Sequence, residues 1–134
     1  MRPGPPRGAT STLEVTVSPE MTAYSSQDPS PPVCGTAALA SHVERICREL
    51  LEPHLESGEE GLGAALEINS RVPVPVGETM TLTATVAVVG PAKLVCEVQV
   101  RHGGANVARG SFEQLLVPTT ELEAEVEERR SALG

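Results

Sequence analysis

Residues 36–52 read TAALASHVERICRELLE, and within them Leu39, Val43, Ile46, Cys47 and Leu50 recur at i, i+4, i+7, i+8 and i+11. That spacing is the apolar stripe of an amphipathic helix. Ala37, Ala38 and Ala40 favour helix at its start, while Pro53 disfavours helical geometry at the residue before it and sets the end near Glu52. No other stretch before the carboxyl terminus reads as a long helix.

Outward from this helix the period changes from 3.6 to 2. The acidic, glycine-bearing stretch 56–61 (ESGEEG) is the connection to a strand in which Ala64, Leu66, Ile68, Val72 and Val74 share one phase and Glu67, Asn69 and Arg71 the other. Next, Met80, Leu82, Ala84, Val86 and Val88 alternate with Thr79, Thr81, Thr83 and Thr85, which places β-branched hydroxyls on the wetter face. Then Leu94, Cys96, Val98 and Val100 alternate with Val95, Glu97, Gln99 and Arg101. The turns Pro75–Gly77, Gly90–Pro91 and His102–Gly104 are short enough for antiparallel neighbours, and a last strand runs from about Asn106 to Val117. Thr119 or Thr120 caps a short, Glu-rich terminal helix whose Arg129 and Arg130 suit the dipole at its end. Upstream, Leu13, Val15 and Val17 make a short first strand, and 25–32 (SSQDPSPP) is a loop.

One strand, one long helix and a run of antiparallel strands make an α+β order: a sheet wrapped around a central helix, with a short C-terminal helix. The chain of 134 residues, 40% apolar and 21% charged, has the size and composition of one globular domain. Residues 1–10, rich in Pro and Gly, are expected to form a flexible N-terminal tail and residues 11–134 the domain. A lone sheet leaves an open edge or back face that invites a symmetric partner. A homodimer is expected, with the choice between dimer and tetramer left open.

Composition excludes several functions. A net charge of −8, with Tyr24 and Phe112 as the only aromatics, is wrong for a nucleic-acid partner, which needs clustered cations and stacking rings. No run approaches the ~20 apolar residues of a membrane span, and residues 1–11 lack the apolar run of a secretory signal, so neither is expected. Cys34, Cys47 and Cys96 form no C-x-x-C and have no His at ligand spacing, so neither a metal nor a cofactor is expected. A reducing, cytoplasmic compartment fits these free thiols.

Two polar residues break the apolar patterns. Ser70 shares the phase of Leu66, Ile68 and Val72 and should point with the buried set. Glu44 lies on the flank of the helical stripe, at i+8 from Thr36, where partial burial would raise its pKa and make it a general base toward water. Bland readings stand beside these. Ser41-His42-Val43-Glu44 matches the capping box S-x-x-E, Ser70 can simply bond a neighbouring backbone group, and Thr36 can be an N-cap. His42, His54 and His102 are too dispersed for a triad.

The stretch Glu44–Gly63, ERICRELLEPHLESGEEGLG, followed by Val72–Ala84, VPVPVGETMTLTA, resembles the central helix, acidic turn, glycine turn and P-x-G-x-T strand of the fluoroacetyl-CoA thioesterase family, with weaker matches from about Leu13 to Val117. The resemblance implies a hotdog fold and hydrolysis of an acyl-CoA thioester at a dimer interface by a Thr before the helix, a Glu on it and a His on the following strand. Thr36 and Glu44 match the first two, and the His falls at Ser70. Gly63 matches a glycine whose N–H can stabilise an oxyanion, and Gln114 stands where the fluoroacetyl enzyme has an arginine. The aromatic gate of that pocket has no counterpart in 25–35, so specificity for fluoroacetyl-CoA is not expected.

The resemblance therefore implies an acyl-CoA or acyl-carrier thioesterase, with Glu44, Thr36 and Ser70 catalytic and Gly63 and Gln114 binding substrate. The runner-up is a non-catalytic hotdog dimer that binds an acyl thioester or another small ligand. A hydratase on the same fold ranks third, since it also wants a His beside its acid.

Overall fold

The computed structural model describes residues 1, 3–23 and 31–133. The loop expected over 25–32 lies, apart from Pro31 and Pro32, outside the described residues. The elements run β1 (Thr10–Thr16), α1 (Thr36–Leu51), β2 (Glu59–Ser70), β3 (Thr79–Val89), β4 (Lys93–His102), β5 (Ala105–Pro118) and α2 (Thr119–Leu133). The strands form one sheet in the order β1-β3-β4-β5-β2, antiparallel at every pairing. The α+β hotdog order read from the sequence is the observed one.

The helix forms where its stripe is, and that stripe is its buried face: Leu39, Val43, Ile46, Cys47, Leu50 and Leu51. They meet the inward residues of β3 (Met80, Leu82, Ala84, Val86) and β4 (Leu94, Cys96, Val98, Val100), all buried. Cys47 and Cys96 face one another across this seam, and the neighbouring Cys96 thiol, together with burial, pushes the Cys47 thiol above its ordinary range. Such thiols act as small core hydrophobes. Helix α1 ends into a short 3-10 turn, Glu52–His54, that carries Pro53.

The helix start decides between the readings left open, and two strand readings differ from expectation. The helix begins at Thr36 with Gly35 as N-cap, so Thr36 is its first residue rather than the cap, and Ser41 and Glu44 lie inside it and close no capping box. A β-bulge between Val86 and Val88 inserts one residue, which flips Val88 from the core phase to the outer face, where it is exposed. Strand β2 stops at Ser70, so Val72 is exposed on the connection to β3 while Val74 is buried. Helix α2 has no buried residue, as its sparse apolar positions foretold.

Strands β1 and β2 are the two edges of the sheet. All of β2 is exposed or half-buried, whereas every inward residue of β4 from Leu94 to Val100 is buried. That uncovered margin positions the candidate site.

Candidate active site between α1 and β2

One flank of α1 carries Ser41, Glu44 and Arg48 at i, i+3 and i+7, spacings that put three side chains on one helix face. With Arg45 they form one wall of a groove of about 340 Å³ whose other lining residues are Gly61, Gly63, Phe112 and Gln114. The groove exists because β2 carries no side chain where α1 passes. A Cβ on Gly61 would lie 2.5 Å from Leu51 Cδ2 and 2.8 Å from Arg48 Nη1, and one on Gly63 would lie 2.8 Å from Phe112 Cζ. A side chain at either position would have to displace Leu51, Arg48 or the Phe112 ring.

Gln114 stands opposite Gly63 in the β2–β5 register and is buried. Its Nε2 donates to the Cys47 carbonyl oxygen at 3.1 Å, so the amide is pinned between the helix and the groove. Glu44, in contrast, is exposed in the protomer, and the partial burial expected for it is not found there. Arg48 is the most heavily bonded side chain of the groove. Its Nη2 donates to Glu60 Oε1 at 2.7 Å, its Nη1 to the Gly61 carbonyl oxygen at 3.0 Å and its Nε to Glu52 Oε1 at 3.2 Å. The Arg48 guanidinium, and then the Gly61 N–H, hold the Glu60 carboxyl below its ordinary range; in return, Glu60 raises the pKa of Arg48.

The other expected residues lie elsewhere. Ser70 points to the helix side of the sheet, opposite the buried Ala108, and lines a small cavity with Cys34, Leu39, Val74 and Val107 near the start of α1. Thr36, exposed, is at that same end. Eight residues of helix separate Thr36 from Glu44, ~12 Å along the axis, and seven of strand separate Gly63 from Ser70, ~23 Å. Within one protomer Glu44, Gly63 and Gln114 therefore come together, and Thr36 and Ser70 do not join them. His42 lies off this groove; burial first, and Arg45 second, lower its pKa. Among the described residues no group of three or more His, Cys, Asp or Glu could hold a metal, and no helix is long and apolar enough to cross a membrane.

The sequence reading passed over Arg48, Ser41 and Phe112. Ser41 and Arg48 were legible as helix neighbours of Glu44 on one flank. What they face was not, since it depends on the pairing of β2 with β5.

Known proteins share this architecture. The family described as fluoroacetyl-CoA-specific thioesterase matches residues 17–120. The fluoroacetyl-CoA thioesterase of Streptantibioticus cattleyicolor is 28% identical over 102 residues, 76% of this chain and 73% of that one. A thioesterase superfamily member from Thermus thermophilus superposes with a TM-score of 0.87 at 29% identity, over 98% of this chain and 99% of that one. A variant of the fluoroacetyl-CoA thioesterase in complex with acetyl-CoA superposes with a TM-score of 0.80 at 25% identity, over 92% of this chain and 98% of that one. With its helix-wrapped sheet, its glycine-floored groove and the match across most of its length, the chain belongs to the fluoroacetyl-CoA-specific thioesterase family of hotdog proteins.

Proposed function

We propose that this protein hydrolyses an acyl thioester of coenzyme A, or of a similar carrier, in the groove between α1 and β2, with Glu44 as the general base. The observation that carries this reading is the convergence of Glu44, Gly63 and Gln114 on one groove. Glu44 takes a proton from a water whose oxygen attacks the thioester carbonyl carbon. The Gly63 N–H receives the developing oxyanion. Collapse then expels the carrier as a thiolate, which takes up a proton, and leaves the carboxylic acid. Gln114 offers the acyl group a neutral amide where the fluoroacetyl enzyme has a cation, which supports a substrate other than fluoroacetyl-CoA.

The site is completed by a second copy. Strand β2 is a free edge carrying exposed Leu66 on its inner face, the kind of edge that pairs with another strand. Antiparallel pairing of two such edges about a two-fold axis near Leu66–Ile68, ending at the bulge that follows Gly63, sets Ser70 of one copy, and the start of α1 beside it, close to Gly63 of the other and leaves the Gly63 N–H outside the ladder. Thr36 and Ser70 then orient the water or the carbonyl across the interface. A second reading, a dimer that binds a thioester without cleaving it, is favoured by one observation: Ser70 stands at the family's His position, and a serine hydroxyl accepts no proton near neutral pH.

Thiol release from short, medium and aromatic acyl-CoAs tests this, with Glu44→Gln as the comparison at equal thermal stability. Hydrolysis that collapses in the variant supports the thioesterase. Ligand-induced stabilisation without thiol release from any acyl-CoA supports the binding dimer instead.

A further inference from the structure

The early part of β2 is held by one side chain from α1. Arg48 donates to the Gly61 carbonyl oxygen and to Glu60, and the same Glu60 oxygen accepts the Gly61 N–H at 2.9 Å. In an antiparallel ladder the N–H and C=O of one residue point to the same side, and successive residues alternate. Both polar groups of Gly61 are taken by side chains. Its cross-strand neighbour Leu116 donates its N–H to the Ala92 carbonyl at 2.8 Å, away from β2. Gly61 therefore faces the open edge. Gly63, two residues on and opposite Gln114, faces the same edge. Its N–H therefore points away from β5, and its direction follows the placement of Gly61 two residues before it.

We propose that Arg48 is a positioning residue of the thioesterase site: its guanidinium fork fixes the Gly61–Gly63 edge so that the Gly63 N–H meets the thioester oxygen. This rests on the function proposed above. Arg48 follows Glu44 by one helical turn, so base and oxyanion donor are held in register by a single span from α1 to β2. The fork matters as much as the charge. Three nitrogens of one planar group reach Glu52, Gly61 and Glu60 at once, and a lysine ammonium cannot reproduce that geometry.

The experiment compares kcat and KM of the unmodified protein, Arg48→Met, which keeps an unbranched apolar stem, and Arg48→Lys, alongside hydrogen exchange of the Gly61, Leu62 and Gly63 amides. Misplacing the donor should lower kcat by about 10- to 100-fold in Arg48→Met. KM should stay within about twofold, the pattern of an interaction made in the transition state. Arg48→Lys should fall between, and exchange at 61–63 should quicken by about tenfold or more while the β4 amides are unchanged. A folded Arg48→Met with unchanged kcat overturns the inference, as does a fall in kcat without faster exchange at 61–63. Absence of turnover in the unmodified protein overturns the thioesterase reading and this inference with it, whereas loss confined to the Arg48 variants leaves that reading standing. Should Arg48→Met not fold, Arg48→Lys carries both readouts.

Discussion

Strands β4 and β2 belong to one sheet and turn the same side toward one helix, yet their inner faces are opposites. On β4 that side carries Leu94, Cys96, Val98 and Val100, none more than 1% exposed. On β2 it carries Gly61, Gly63, Leu66, Ile68 and Ser70, and Leu66 is 39% exposed. The sheet curls around the helix, which approaches the edge strands β1 and β2 as well as β3; its apolar stripe is buried in the core, while its polar flank meets β2 where that strand carries Gly61 and Gly63. Stability and chemistry are thereby held on different strands of the same layer. Substitutions should separate them.

The largest expected effect falls on the β2 side. Glu44→Gln should lower kcat/KM by about 10² to 10⁴, the usual worth of a general base. Because Glu44 is exposed and packs in no core, Tm should barely move. Equal activity in the two proteins would remove Glu44 from the mechanism and turn attention to residues brought by the second copy.

The converse prediction belongs to the β4 side. Ile46 is wholly buried on the sheet-facing stripe of α1, and Ile46→Ala should cost about 2–5 kcal/mol through lost burial and the cavity left behind. Denaturant unfolding measures this. Turnover per folded molecule should be unchanged, and a selective loss of kcat in the folded fraction would show that core and groove are not separable.

This division also explains what was legible in the sequence. Periodicity announces elements that bury one face, so α1, β3 and β4 could be read directly from Leu39–Leu50, Met80–Val86 and Leu94–Val100. It fails at bulges. The extra residue before Val88 inverts the phase without a trace in the alternation, as does the one between Gly63 and Ala65. Glu44, Gly63 and Gln114 were named and do share a groove, but through a resemblance in two of the three cases. Arg48 was invisible for a physical reason: from spacing alone it is a surface cation four residues from Glu52, and only the fold carries Glu60 and Gly61 beneath it. Thr36 and Ser70 could be placed on their elements, whereas the groove they would serve follows only from the second copy proposed above.

The exposed margin itself offers a smaller test. Leu66→Asp puts a charge on the inner face of the free edge, where pairing of two β2 strands would bury it. Sedimentation or size-exclusion analysis should show dimer dissociation strengthened by about tenfold or more, equivalent to ~1.4 kcal/mol. An unaltered oligomer would move the interface away from β2.

The smallest effect is in pH, and its sign is set by Glu60. Arg48 holds the Glu60 carboxyl below its ordinary value, so the folded pKa is lower than the unfolded one. Such a pair contributes stability that is complete above the unfolded value and is lost as pH falls through the folded one. Glu60 is solvent-facing, so the contribution is heavily screened and small. The Tm difference between the unmodified protein and Glu60→Gln should be present near neutral pH and should shrink progressively below about 4.5. The inward face of β4 carries no carboxylate, so its amides should exchange alike in both proteins, while those at 61–63 should converge only in acid. A difference in Tm that persists unchanged at low pH would mean that Glu60 acts through packing rather than through its charge on Arg48.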